Sequence, residues 1–165
     1  MRRTLILAGA ILLAFPGCIY SFKGSSVPPH LKTVAVQLFD DQSGSGEPGL
    51  REQLTNKLID RFKQDNSLAV SDQSHADSMI EGTISSLSDQ PLVVTSGETV
   101  TKRHIIVSTT VKYQDMKLHK KVFDKQFSNW GDYDVSGGPA GRAGAVSAAI
   151  DKLAEDILNE TVSGW

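Results

Sequence analysis

Hydrophobic and polar positions follow two different periods along the chain. From Leu50 to Phe62, leucine or phenylalanine stands at every fourth position among mostly polar residues, which predicts an amphipathic helix with one buried stripe. A second stripe, from Val146 to Thr161, predicts a closing helix that begins near Arg142. Both stripes need a surface to pack on, because a single domain normally buries such faces.

A period of two indicates the strands. From His104 to Tyr113, residues for a core-facing side alternate with residues for a wetter side, which is typical of a strand with one buried face. The other predicted strands are Thr33 to Phe39, Met79 to Leu87 and Val122 to Trp130, with hairpin-turn chemistry at Thr95 to Glu98. Gly82 indicates either a bulge or a close neighbour.

The element order is therefore strand, helix, three strands and helix (β-α-β-β-β-α). We expect an α+β two-layer sandwich, in which a four-stranded mixed sheet carries both helices on one face. The segment from Gly131 to Gly144 holds five glycines and a proline, so it is predicted to be irregular before about Arg142.

The N-terminus predicts export. Arg2 and Arg3 precede an apolar run from Leu5 to Phe15 that suits a signal peptide and is too short to cross a bilayer. Pro16 and Gly17 follow the run and lead to Cys18, the only cysteine, in a context that resembles the lipobox of bacterial lipoproteins. We expect acylation of Cys18 and membrane attachment through its acyl chains, against two alternatives: a transmembrane helix, or a secretory signal with a spare thiol. The predicted parts are a signal peptide at 1–17, a lipidated extended tether at 18–31 and one domain at 32–162.

Composition excludes several classes of function. The net charge is −2, and loss of Arg2 and Arg3 would make the exported chain more acidic, which argues against nucleic-acid binding. The four histidines are scattered and predict no metal site. No nucleophile motif or phosphate-binding loop is present, so we expect neither an enzyme nor a cofactor.

Two charge clusters remain. Asp40 and Asp41 suggest either a weak cation site or, more simply, a solvated loop. The one basic concentration begins at Lys102 and Arg103 and continues through further lysines to Lys121. It would suit phosphate groups on a ligand, or it would be a set of edge-strand lysines that block aggregation.

Longer motifs point to one family. The segment from Cys18 to Val36, CIYSFKGSSVPPHLKTVAV, together with Pro48-Gly49-Leu50 and Glu81-Gly82-Thr83-Ile84, resembles the lipopolysaccharide-assembly lipoproteins of the LptE type. That resemblance implies a protein of the outer membrane, on its periplasmic side, that plugs the β-barrel LptD and assists lipopolysaccharide insertion. Charge alone suggests Lys102, Arg103 and Arg142 as lipopolysaccharide contacts. The alternative is an outer-membrane lipoprotein that activates peptidoglycan synthases or helps to build a secretion pore.

Overall fold

A computed structural model describes residues 27–95 and 99–165. The predicted signal peptide, Cys18 and most of the tether lie outside these ranges. In chain order the elements are β1 (Thr33–Val36), β2 (Asp40–Asp41), α1 (Leu50–Asp65), β3 (Ala69–Val70), β4 (Ser78–Thr95), β5 (Thr99–Asp115), β6 (Lys120–Asp134), a 3-10 turn (Val135–Gly137) and α2 (Gly138–Ser163).

The strands form one mixed sheet in the order β3-β1-β4-β5-β6, and β2 pairs separately with β4. Strand β1 runs parallel to both β3 and β4, whereas β4, β5 and β6 form an antiparallel meander. The predicted α+β fold with two helices and an open mixed sheet is confirmed. Two strands of only two residues, β2 and β3, extend the predicted four.

Both helices contribute to the core that covers one face of the sheet. The predicted stripe of α1 is buried throughout, and α2 packs along β5 and β6 while also contacting α1. Between the helices and the sheet lie the inward side chains of β5, which the alternation predicted: Ile105, Val107, Thr109, Val111 and Tyr113. Polar side chains such as Glu81, Thr110 and Lys112 occupy the opposite face of the sheet, called the open face below.

Two strand glycines permit close approach of other groups. A Cβ atom at Gly82 would lie 2.1 Å from the ring of Phe39. Of the two interpretations of this glycine, a bulge or a close neighbour, the structure shows the close neighbour. A Cβ atom at Gly131 would lie 2.1 Å from the carbonyl oxygen of Ala145 in α2. Helix α2 therefore sits nearer to β6 than any side chain at position 131 would allow.

The glycine-rich segment from Gly131 to Gly144 is more regular than its composition predicted. Strand β6 continues to Asp134, and α2 already begins at Gly138, so the expectation of irregular structure before Arg142 is wrong. Proline is tolerated in a first helical turn, where Pro139 stands, because its missing N–H would have no partner there. Packing of the long apolar stripe of α2 outweighs the helix cost of its glycines.

Strands β4 and β5 are both longer than predicted. Their register continues to the pair Thr95–Thr99, as the predicted hairpin turn requires, although turn residues 96–98 lie outside the described ranges. The last pair between β5 and β6 joins Lys102 to Asp134, so the hairpin projects beyond β6.

No helix in the described ranges has the length and apolar character needed to cross a membrane.

Candidate functional site

Arg103, one of the predicted ligand contacts, belongs to a cluster centred on Asp89. Its Nε donates to Asp89 Oδ1 at 2.6 Å, and a terminal guanidinium nitrogen donates to the Asp89 carbonyl oxygen at 3.0 Å. Tyr133, which is paired with Arg103 across β5 and β6, donates its hydroxyl to Asp89 Oδ2 at 2.8 Å. Three strands therefore meet at one carboxylate.

Arg142 reaches the same carboxylate from the first turns of α2. Its Nε lies 3.5 Å from Asp89 Oδ2, and another guanidinium nitrogen donates to the carboxylate of Glu47, just before α1. The early start of α2 is what brings Arg142 over the sheet. The structure thus joins Arg103 and Arg142 through Asp89, and we call Glu47, Asp89, Arg103, Tyr133 and Arg142 the distal cluster.

The distal cluster is close to electrically neutral. Burial alone would raise the pKa of Asp89, but the hydrogen bonds from Arg103 and Tyr133 outweigh it and lower that pKa. The bond to Asp89 in turn raises the pKa of Arg103, and burial raises the pKa of Tyr133. Two guanidinium groups therefore face the carboxylates of Asp89 and Glu47, and the Asp89 carboxylate stays ionised at neutral pH.

Lys102 is not part of this cluster. Successive side chains of a strand point to opposite faces, so Lys102 extends from the open face while Arg103 points toward the helices. It is exposed and paired in register with Asp134. The basic concentration seen in the sequence also divides, since Lys112 bonds Glu81 on the open face and Lys117 to Lys121 lie at the far end of β5.

Sequence reasoning missed Glu47, Asp89 and Tyr133. The partnership of Tyr133 and Arg103 depends on the register between β5 and β6, and that of Asp89 depends on a β4 longer than predicted. The only available signal was the position of Asp89 just beyond the predicted end of a strand, and that position does not indicate which residues Asp89 contacts.

The opposite end of β5 holds the beginning of the described chain. His30 Nε2 contacts Asp115 Oδ2 at 2.6 Å, and Lys117 Nζ donates to the His30 carbonyl oxygen at 2.8 Å. Asp115 lies twelve positions after Arg103 along β5, which corresponds to about 40 Å. We call the Asp115 end the tether end, because the predicted tether would leave the domain there.

None of the described residues forms a group of three His, Cys, Asp or Glu side chains suited to a metal ion. His104 instead contacts Asp132, and His75 contacts Asp72 at 2.8 Å. Asp40 and Asp41 form the two-residue strand β2, where Asp41 caps the backbone N–H of Ser43. The predicted site residue Cys18 lies outside the described residues.

Solved structures share this architecture at low sequence identity. A protein from Xanthomonas campestris has a TM-score of 0.61 and 12% identity, over 82% of this chain and 88% of its own. A hypothetical protein from Chlamydia trachomatis gives 0.58 and 8%, over 82% and 99%. The rare lipoprotein B of Shewanella oneidensis gives 0.50 and 14%, over 79% and 95%. These likenesses define the class, a two-layer α+β fold that is also found in a bacterial lipoprotein.

The family follows from the sequence of the domain itself. A model of the lipopolysaccharide-assembly family LptE matches residues 31–161, whereas no curated protein matches the chain. The chain therefore belongs to the LptE lipopolysaccharide-assembly family. The resemblance to this family is confirmed, and the match covers the motif residues from Leu31 to Ile84 and continues through β5, β6 and α2.

Proposed function

We propose that this protein is an outer-membrane lipoprotein that plugs an LptD-type β-barrel and assists lipopolysaccharide transport to the outer leaflet. Membership of the lipopolysaccharide-assembly family carries the proposal. In this role the protein acts by occupying and shaping its partner rather than by catalysis.

The open face supports the proposal in physical terms. The lumen of a transmembrane barrel is polar, so a plug needs hydrogen-bonding side chains on the surface that meets the wall. Thr83, Thr110 and Lys112 offer such groups on a sheet that the described helices leave uncovered. A shallow cavity of about 440 Å³ on this face, lined by these residues and Glu81, gives room for a partner's side chain or loop.

Co-purification tests the proposal. The full chain with a C-terminal tag, extracted from native membranes in mild detergent, is expected to bring down a large β-barrel that mass spectrometry identifies. Depletion should reduce surface lipopolysaccharide. The proposal would be wrong if no barrel co-purified and depletion impaired wall synthesis instead. That result would support the alternative of a peptidoglycan-synthase activator.

A matched pair of variants locates the barrel contact. Thr110→Trp places a bulky ring on the open face, whereas Lys63→Trp places the same ring on the exposed side of α1. We expect recovery of the barrel to fall with Thr110→Trp and to remain near wild type with Lys63→Trp. The reverse result would mean that the helix layer, rather than the open face, meets the wall.

We also propose that Lys102, Arg103 and Arg142 contact phosphate groups of lipopolysaccharide. Each arginine uses two of its guanidinium nitrogens within the distal cluster, and each side chain remains about one-third exposed. The remaining guanidinium donors are available to an anion. Lys102 supplies a full positive charge from the opposite face of β5, at the base of the projecting hairpin.

Charge reversal tests this contact. The variants are chosen according to whether they remove an interaction within the distal cluster. Lys102→Glu breaks no ion pair with the described residues, so weaker binding of purified lipopolysaccharide to the folded full chain would report the contact directly. Lys63→Glu on α1 is the matched control and should bind normally. Arg103→Gln and Arg142→Gln each remove a partner of Asp89, so their circular dichroism must match wild type before any loss of binding is counted. Equal binding by Lys102→Glu and Lys63→Glu would move the contact elsewhere.

A further inference from the structure

The tether end carries an unusual concentration of exposed apolar surface. Leu118, in the turn between β5 and β6, is 64% exposed, and Trp165 is 41% exposed. With Pro28 and Val122, these side chains line an open cavity of about 340 Å³ whose exposed surface is mainly apolar. We call Pro28, Leu118, Lys120, Val122 and Trp165 the tether-end patch.

The patch is held in place by the fold. Asp115 is only 2% exposed, and its Oδ1 accepts the backbone N–H of Leu118 at 2.8 Å while its Oδ2 contacts His30. Trp165 Nε1 donates to the Thr161 carbonyl oxygen at 2.9 Å, and the indole packs edge-on against Tyr113. The apolar groups are therefore presented in a fixed arrangement.

Three lysines lie in or directly after the turn that carries Leu118, and one of them, Lys120, lines the same cavity. Lys117 Nζ lies 2.9 Å from Asp77, and Lys121 Nζ lies 3.1 Å from Asp124, whereas the ammonium group of Lys120 has no ion pair or hydrogen bond with the described residues. An exposed leucine and an indole bordered by lysines match the chemistry of the bilayer interface, where apolar groups enter the acyl boundary and ammonium groups remain among the phosphates. A polar barrel wall would offer the leucine and the indole no comparable environment.

The position of the patch selects the occupant. Residue 27, where the described chain begins, lies one position before Pro28 of the patch and only nine positions after Cys18. Nine extended residues span at most about 30 Å, so an acylated Cys18 would keep this end of the domain beside the membrane.

We propose that the tether-end patch rests on the phospholipid leaflet that holds the acyl chains of Cys18, with Leu118 and Trp165 in the headgroup region. This inference rests on the proposed acylation of Cys18. It adds a second contact to the anchor, one that fixes which end of the domain faces the lipid and directs the distal cluster away from the leaflet.

The two tryptophans of the chain provide the test, because Trp130 lies on the open face and Trp165 in the patch. Full-length acylated protein is reconstituted into vesicles of phosphatidylethanolamine and phosphatidylglycerol, with or without bromine on the upper acyl chain. Trp130→Phe leaves Trp165 as the only reporter, and Trp165→Phe leaves Trp130. We expect brominated lipid to quench Trp165 strongly and Trp130 little.

A second pair of variants addresses the apolar contact. Leu118→Asp is expected to reduce the quenching of Trp165, whereas Leu38→Asp, at another exposed leucine, should not. If the protein floats with the vesicles but Trp165 is quenched no more than Trp130, the patch proposal is overturned and the acylation of Cys18 stands. If the protein does not float with the vesicles, both the patch proposal and the acylation of Cys18 are wrong. Protection of Trp165 only after addition of a barrel would assign the patch to a protein partner and also overturn the proposal.

Discussion

Single glycines decide how closely the two layers of this protein approach. At Gly131 the obstacle to any side chain is the backbone of α2, which cannot rotate away as a side chain could. Gly144 is different, because nothing lies within 4 Å of the Cβ atom that it would carry. Gly131 is therefore required by packing, whereas Gly144 only lowers the helix propensity of α2.

We expect Gly131→Ala to destabilise the protein by about 1–3 kcal/mol, since the helix must move off the strand. Gly144→Ala should instead stabilise it by about 0.5–1 kcal/mol through the lower conformational entropy of the unfolded chain. Urea denaturation of both variants in a Cys18→Ser background measures the two effects. An equal loss of stability at both positions would contradict the packing argument.

A single carboxylate also links stability to pH. The hydrogen bond from Lys117 and the backbone N–H groups of Lys32 and Thr33 lower the pKa of Asp77 from the ordinary value of 3.8 to about 2. The folded state therefore holds the proton of Asp77 less tightly than the unfolded chain does. The resulting stability is fully present above pH 4 and is lost as the pH falls toward 2.

We accordingly expect Asp77→Asn to be less stable than the parent chain at pH 7 and to approach it as the pH falls from about 4 toward 2, because protonation then removes the charge of Asp77. Urea midpoints at a series of pH values measure the difference. Asp134→Asn, at an exposed position, is the control. A deficit of Asp77→Asn that stayed constant down to pH 2 would mean that the charge of Asp77 does not matter.

At the scale of elements, the regular parts were predictable and the junctions were not. The spacing from Leu50 to Phe62 predicts a buried stripe because helix geometry alone puts those residues on one side, and β5 follows from its alternation in the same way. The start of α2 at Gly138 depends on packing along β6, which local composition does not report. The contact of both Arg103 and Arg142 with Asp89 depends in turn on the start of α2 at Gly138 and on the register of β4, β5 and β6.

The distal cluster joins the projecting hairpin to the first turns of α2. We expect Asp89→Asn to cost about 1–3 kcal/mol, because it leaves two guanidinium groups and the Tyr133 hydroxyl with weakened or missing partners. Hydrogen exchange should accelerate in the described outer parts of β4 and β5 and in the first turns of α2. Asp124→Asn, on the open face, should leave these amides unchanged. Uniform acceleration throughout the sheet would show that Asp89 supports the whole fold rather than this junction.

For the whole molecule, we expect the domain to build its core without the predicted anchor. The described core begins at Leu31 and ends at Leu158, and it closes both helices onto the sheet. The end of the predicted tether contributes to that core through Leu31, and His30 fastens it to Asp115. We therefore expect that attachment to a membrane and folding can be separated by one substitution.

We expect Cys18→Ser to release a folded domain into the soluble periplasmic fraction, because no acyl chain would remain to hold it. Its urea midpoint should equal that of the acylated protein measured in detergent, since the buried core cluster of the described residues begins at Leu31, and Val27 is the one described residue before it that packs against this cluster. Fractionation is best done in cells that lack the barrel partner, so that protein contacts cannot mimic the anchor. If Cys18→Ser remained with the membranes of such cells, another segment would have to hold the protein there, and the proposed role of Cys18 would be wrong. A released but unfolded chain would instead mean that residues ahead of Leu31 complete the fold.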